Sequence, residues 1–61
     1  MDLKIYTVKD NYVFEGNEAE CVMNEITRAA SGNAEWTVPV NLNSGKSIVF
    51  VLSNIIAIEY E

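Results

Sequence analysis

Residues 47–58 read SIVFVLSNIIAI, and this stretch decides the fold because its first half is apolar on both sides of the chain. The side chains of a β-strand alternate between its two faces. Both sets are apolar here, with Ile48, Phe50 and Leu52 on one face and Val49 and Val51 on the other. A strand of this kind is buried from both sides, so we expect two covering layers in the folded protein.

One amphipathic helix is the clearest element outside this stretch, and it is predicted over residues 18–31. Asn17 is a suitable N-cap, and Glu20 follows it at the spacing of a capping box. Gly32 suits the left-handed position just past the helix end. The apolar side chains recur at helical spacing along one stripe: Ala19, Val22, Met23, Ile26, Ala29 and Ala30. One helix covers only one face of a sheet, so the other face needs a different cover.

The remaining segments predict five strands, at residues 3–8, 12–15, 36–42, 47–52 and 55–60. The order ββαβββ is typical of an α+β fold with an antiparallel sheet. Alternation in the third strand places its apolar side chains toward the core: Trp36, Val38, Val40 and Leu42. Pro39 lacks a backbone donor and predicts an edge or a bulge. A turn at residues 43–46, with a left-handed Gly45, leads to the fourth strand, which we expect to be central.

The size of the chain favours assembly. The 61 residues form one domain, 1–61, and a domain of this size buries only about 60% of its unfolded surface. Cys21 is the only cysteine, so no internal disulfide can compensate for this small buried surface. Two covers for the second face remain open: the sheet closes into a small barrel, or a second copy packs on it. We expect a homo-oligomer that self-associates through Tyr6, Val49 and Val51.

Composition narrows the classes of partner. Nine acidic residues against four basic ones give a net charge of −5, which disfavours binding to nucleic-acid backbones through clustered cations. No run approaches the ~20 apolar residues of a membrane span, and the first residues are too polar for a signal peptide. A lone cysteine is typical of a reducing compartment. We therefore expect a cytoplasmic protein of a bacterium or a phage that does not engage a membrane.

No constellation of residues predicts catalysis or a cofactor. The chain has no histidine and one thiol, and a structural zinc site needs more of these ligands. Residues 45–47 read GKS, as at the end of a phosphate-binding loop. That motif needs a glycine where Val40 lies and a helix where a strand follows. We expect no enzyme activity, no metal and no cofactor.

The leading functional hypothesis is a small acidic interaction module, a self-associating accessory or inhibitor protein that binds another protein. The polar face of the helix predicts the patch for a basic protein partner: Glu18, Cys21, Asn24 and Glu25. One alternative is a small-ligand binder with a pocket between subunits or inside a barrel, where four polar side chains orient the ligand: Tyr6, Tyr12, Asn41 and Tyr60. The other is a small nucleic-acid-binding β-domain whose strand aromatics stack on bases.

Overall fold

The computed structural model describes all 61 residues and contains one long helix and two antiparallel sheets. The strands are β1 (Asp2–Thr7), β2 (Asn11–Glu15), β3 (Val40–Asn41), β4 (Ser47–Ile48) and β5 (Ile55–Tyr60). Helix α1 (Gly16–Ser31) follows β2, and a short 3-10 helix (Leu52–Asn54) precedes β5. The predicted α+β class with an antiparallel sheet is confirmed. The barrel alternative is wrong, because β3 and β4 form a sheet of their own.

The larger sheet has the strand order β2-β1-β5, so its centre is β1. Strands β1 and β5 pair antiparallel, with one bulge at Ile56. At the start of β1, the backbone of Asp2 exchanges two hydrogen bonds, of 3.3 and 3.0 Å, with that of Glu61, the residue after β5. Residues 47–52, predicted as the central strand, lie outside this sheet. The prediction fails because the 3-10 helix carries the chain to the far edge of β1, where β5 pairs.

Helix α1 begins directly at the end of β2. Gly16 has φ +63°, a left-handed value that favours glycine, and this allows the chain to pass from strand to helix without a loop. The N-cap is Glu15, which makes no side-chain capping hydrogen bond. The predicted cap at Asn17 is therefore wrong, because the sharp joint at Gly16 starts the helix before that residue.

The end of α1 also differs from the prediction in one residue. Gly32 has φ −90°, and the left-handed position belongs to Asn33, with φ +56°. The Asn33 amide donates to the Ala30 carbonyl at 3.2 Å, and the Ala34 amide donates to the Ala29 carbonyl at 2.9 Å. These two bonds form a Schellman motif, in which asparagine replaces the more common glycine.

Helix α1 and the β3–β4 hairpin cover the same face of the larger sheet. The buried core draws on all three parts: Leu3, Ile5, Phe14, Ala19, Val22, Ile26, Val40 and Phe50. The ring of Phe50 lies edge-on to two rings of β2, at 5.4 Å from Tyr12 and 6.2 Å from Phe14 between centroids. Such edge-to-face geometry is favourable for aromatic pairs. The hairpin is therefore anchored over β2, at the opposite edge of the sheet from β5.

The hairpin, residues 35–52, contains an irregularity that changes which side chains are buried. The Thr37 amide donates to the Phe50 carbonyl at 2.9 Å, whereas further along the hairpin Val40 lies opposite Ile48. Three residue steps from Thr37 to Val40 thus match only two steps from Phe50 to Ile48 on the opposite strand. The extra residue falls next to Pro39, which cannot donate to the ladder, and a bulge of this kind shifts the alternation by one.

The shift overturns half of the predicted core alternation. Val40 is buried and Leu42 is half-buried, as predicted, but Trp36 and Val38 are exposed over 59% and 57% of their surfaces. Thr37 takes the inward position between them and is 1% exposed. The cause is the extra residue at the proline, because side chains before and after a bulge no longer share one face.

Candidate functional site

The outward side of the hairpin is an exposed apolar surface, called the hairpin face below. Its four side chains are Trp36, Val38, Val49 and Val51. Trp36 and Val51 lie directly opposite each other in an isolated β-bridge. They point outward because the residues next to them, Thr37 and Phe50, point into the core. The predicted alternation is thus present over residues 48–51 and ends at Leu52, which begins the 3-10 helix. No part of this chain covers its second face.

Val8 extends this apolar surface from the β1–β2 turn. Val8, Val49 and Val51 line a shallow groove of about 170 Å³. The Val8 amide donates to the Asn54 carbonyl at 2.9 Å, which holds the turn against the end of the hairpin. Two of the residues predicted for self-association, Val49 and Val51, therefore lie together, in a groove that Lys9 and Asp10 also line.

Tyr6, the third residue predicted for self-association, does not line this groove. It lies on the outer face of the larger sheet, in the row between Asn11 and Ala57. Its hydroxyl donates to Glu59 Oε1, and Lys4 Nζ lies 5.0 Å from the centroid of its ring. These neighbours give Tyr6 a role within the sheet surface, separate from the hairpin face.

Three of the four residues predicted for a basic partner line one cleft between α1 and the hairpin. The cleft, of about 380 Å³, is lined by Cys21, Asn24, Glu25, Arg28 and residues 39–41. Arg28 Nη1 lies 3.1 Å from Glu25 Oε1, an ion-pair distance without the alignment of a hydrogen bond. The Glu25 side chain is 19% exposed and that of Arg28 is 77% exposed. The cleft therefore presents a cation to solvent as much as a carboxylate, which weakens its match to a basic partner.

Glu18, the fourth predicted residue, lies outside the cleft and supports the hairpin turn. Its Oε2 accepts a hydrogen bond from the Asn43 amide at 2.6 Å. In that turn the Gly45 amide donates to the Leu42 carbonyl at 3.0 Å, and Gly45 has φ +89°, as the sequence predicted. Local sequence contains no signal for the Glu18–Asn43 contact, because it joins residues 25 positions apart.

The outer face of the larger sheet carries a charged cluster that sequence reasoning missed. Asp2 lies opposite Glu15 on one side, and on the other side its backbone pairs with Glu61. Glu59 and Lys4 form the next row. The sequence does show charged residues at alternate positions near both ends of the chain. They form one cluster only because β1 pairs with β5, which the local sequence does not reveal. No group of three or more Cys, Asp and Glu side chains is arranged to hold a metal ion.

The polar side chains of the small-ligand alternative do not converge on one site. Among the three main cavities, Tyr12, Asn41 and Tyr60 each line a different one, and Tyr6 lines none of them. Tyr12 is engaged in the aromatic cluster, and Asn41 Oδ1 accepts a hydrogen bond from the Ser47 hydroxyl at 2.8 Å. The geometry thus favours surfaces over a pocket.

Comparison of the chain with known protein families, with curated proteins and with solved structures gave no match. Its one long helix, α1, lacks the length and apolar character needed to cross a membrane. The exposed surfaces described above are therefore the basis for a functional proposal.

Proposed function

We propose that this chain is a non-enzymatic interaction module that works as a homodimer, formed when the hairpin faces of two copies pack together. In this role it acts as an accessory or inhibitor protein that binds another protein. The observation that carries the proposal is the hairpin face, where Trp36 and three valines lie exposed beside one another.

The composition of the hairpin face suits contact with a copy of itself. A two-fold interface brings the same patch together from both subunits, so any charge at its centre would meet its own sign. The four side chains of the hairpin face are uncharged and apolar. Tryptophan is also the residue type most often found as an energetic anchor of protein interfaces. The hairpin face therefore has the apolar centre that a stable interface needs.

The exposed area of the chain sets the scale of such an interface. Its accessible surface is 4292 Å², against about 4000 Å² expected for a folded monomer of 6.8 kDa. An interface of standard size buries about 800 Å² from each partner, which is about a fifth of this surface. A dimer formed on the hairpin face would thus bury a large share of the exposed apolar side chains.

Sedimentation equilibrium at micromolar concentration tests this dimer. We expect a mass of twice 6.8 kDa for the wild-type chain. Val49→Lys places a charge in the apolar interface and should give a monomer. Val13→Lys is the matched control, because Val13 is an exposed valine on the outer face of the other sheet, and this variant should remain a dimer. Circular dichroism establishes that both variants are folded.

Fluorescence supplies an independent readout, because Trp36 is the only tryptophan and lies in the proposed interface. Its emission should shift to longer wavelength as the protein is diluted and the dimer dissociates. A wild-type mass of 6.8 kDa without concentration dependence would refute the dimer. So would a dimer that Val49→Lys leaves intact.

A further inference from the structure

The free edge of β5 carries unpaired backbone groups. In an antiparallel pair, only every second residue of a strand bonds to its neighbour. Asp2 and Glu61 exchange both of their backbone hydrogen bonds, so the residues of β5 that bond to β1 are those at every second position counted back from Glu61. The amide and carbonyl groups of Ile58 and Tyr60 therefore point away from β1. Neither residue takes part in any other backbone or side-chain hydrogen bond of the structure.

This edge lacks most of the features that normally prevent strand addition. Proteins protect exposed edges with lysine, proline, bulges or a covering element. Strand β5 contains no lysine and no proline, and its single bulge lies near its start, at Ile56. The hairpin is anchored over β2 at the opposite edge of the sheet. The segment from Ala57 to Tyr60 is therefore open to a further strand.

The side chains along the edge differ between its two faces. On the side of α1, Tyr60 is 61% exposed although Leu3, opposite it on β1, is buried. On the outer side lie Glu59 and Glu61, both exposed and neither in an ion pair. A strand added here would find an apolar surface on one face and, on the other, two carboxylates that lack an ion pair, of which Glu59 accepts a hydrogen bond from the Tyr6 hydroxyl.

We propose that the β5 edge binds an extended segment of a partner protein, added antiparallel, in which apolar residues alternate with Lys or Arg. The apolar residues would pack beside Ile58 and Tyr60, and the cations would lie beside Glu59 and Glu61. Main-chain bonds supply affinity in this mode, and alternate side chains supply specificity. The inference rests on the proposed function only in that the chain binds another protein. The binding site itself is separate from the hairpin face.

Charge is the reason to choose a foreign strand over a second copy. Two β5 strands paired antiparallel would place Glu59 of both copies on the same face, with no cation from either β5 to separate them. Like charges on neighbouring strands are destabilising. Each copy also carries a net charge of −5, so a basic segment is favoured where a copy is repelled.

A pair of N-methylated peptides tests the site on the full chain. The probe is the peptide Lys-Ile-Lys-Val-Lys-Ile-Lys, with fluorescence anisotropy as the readout. In the proposed antiparallel pairing, the apolar residues of the peptide use their amides to bond to Ile58 and Tyr60. Methylation of the valine amide and one isoleucine amide, which lie two residues apart as Ile58 and Tyr60 do, should weaken binding at least tenfold. Methylation of the two central lysine amides leaves charge and mass matched and should change binding less than threefold. Equal binding of the two methylated peptides would overturn the proposal.

Two variants locate the binding on β5. Tyr60→Pro removes a free amide, whereas Tyr60→Val keeps that amide and removes only the ring, so the proline variant should bind the peptide at least tenfold more weakly than the valine variant. Equal affinity of the two would refute the site. Val49→Lys, which tests the dimer, should bind the peptide as wild type does, so the two proposals fail independently. A dimer that Tyr60→Pro dissociates would show that a second copy occupies this edge and would also overturn the proposal.

Discussion

Thr37 is the residue on which the geometry of the hairpin depends most directly. It is buried, and its Oγ1 accepts a hydrogen bond from the Phe50 amide at 3.1 Å. At this point of the ladder a side-chain oxygen replaces the usual backbone acceptor. A buried amide without an acceptor is costly, so this hydroxyl allows the shifted register to exist inside the core.

Thr37→Val should lower the free energy of unfolding by about 1–3 kcal/mol, because it leaves the Phe50 amide buried and unpaired. Urea unfolding measures the loss, and hydrogen exchange locates it. The Phe50 amide should exchange faster in Thr37→Val than in Thr37→Ser, the control that keeps the hydroxyl. Unchanged exchange at Phe50 in the valine variant would contradict this role.

The position of Thr37 also shows where residue-level prediction stops. Alternation correctly assigned opposite faces to Phe50 and Val51, because no bulge interrupts residues 48–51. It failed at Trp36 and Val38, because a strict alternation does not allow for the extra residue next to Pro39, which reverses the faces of the residues before it. The sequence does contain the proline, but whether a proline marks an edge or a bulge depends on the partner strand, which lies outside the local pattern.

Among the elements, α1 was predicted closely in extent because its apolar stripe is set by local spacing. Its buried residues are Ala19, Val22, Ile26 and Ala29, all members of that stripe. Its ends were predicted less well. The start depends on the left-handed joint at Gly16, and the stop depends on asparagine adopting a conformation for which glycine is the usual choice.

Alanine substitutions at the two candidate positions distinguish the predicted helix end from the observed one. Asn33→Ala should cost about 1–2 kcal/mol, because alanine is strained at φ +56°. Gly32→Ala should be neutral or stabilise by about 0.4–1 kcal/mol, since φ there is ordinary and the nearest atom to a new Cβ is the Arg28 carbonyl oxygen at 3.5 Å. Thermal unfolding ranks the two variants. The reverse order would show that Gly32 holds the left-handed position.

For the molecule as a whole, charge is unevenly placed. The carboxylates of Asp2 and Glu15 lie on neighbouring strands, and Glu61 follows on the other side of Asp2. The net charge of −5 can be counted from the sequence. The row of three carboxylates cannot be predicted from it, because the row forms only when the two ends of the chain pair. The same limit applies to the β5 edge, which no local pattern revealed.

Glu61→Lys should stabilise the fold by about 0.2–1 kcal/mol, because it replaces a repulsive neighbour of Asp2 with an attractive one. Chemical unfolding at low ionic strength measures the gain. The gain should shrink in high salt, since exposed charges are screened. A variant less stable than wild type at low salt would contradict the repulsion.

The pairing of β1 with β5 has a consequence during protein synthesis. Strand β1 is made before β5, and the interval from Asp2 to Ile55 takes roughly 3–11 s at about 5–20 residues per second. Through most of that time β1 has β2 on one side and a bare edge on the other. The nascent chain can build its first hairpin and its helix as it emerges, but the sheet closes only after translation has reached the final strand. A ribosome that stalls before residue 55 therefore holds an open sheet edge, and the sheet can be completed only once β5 has been made.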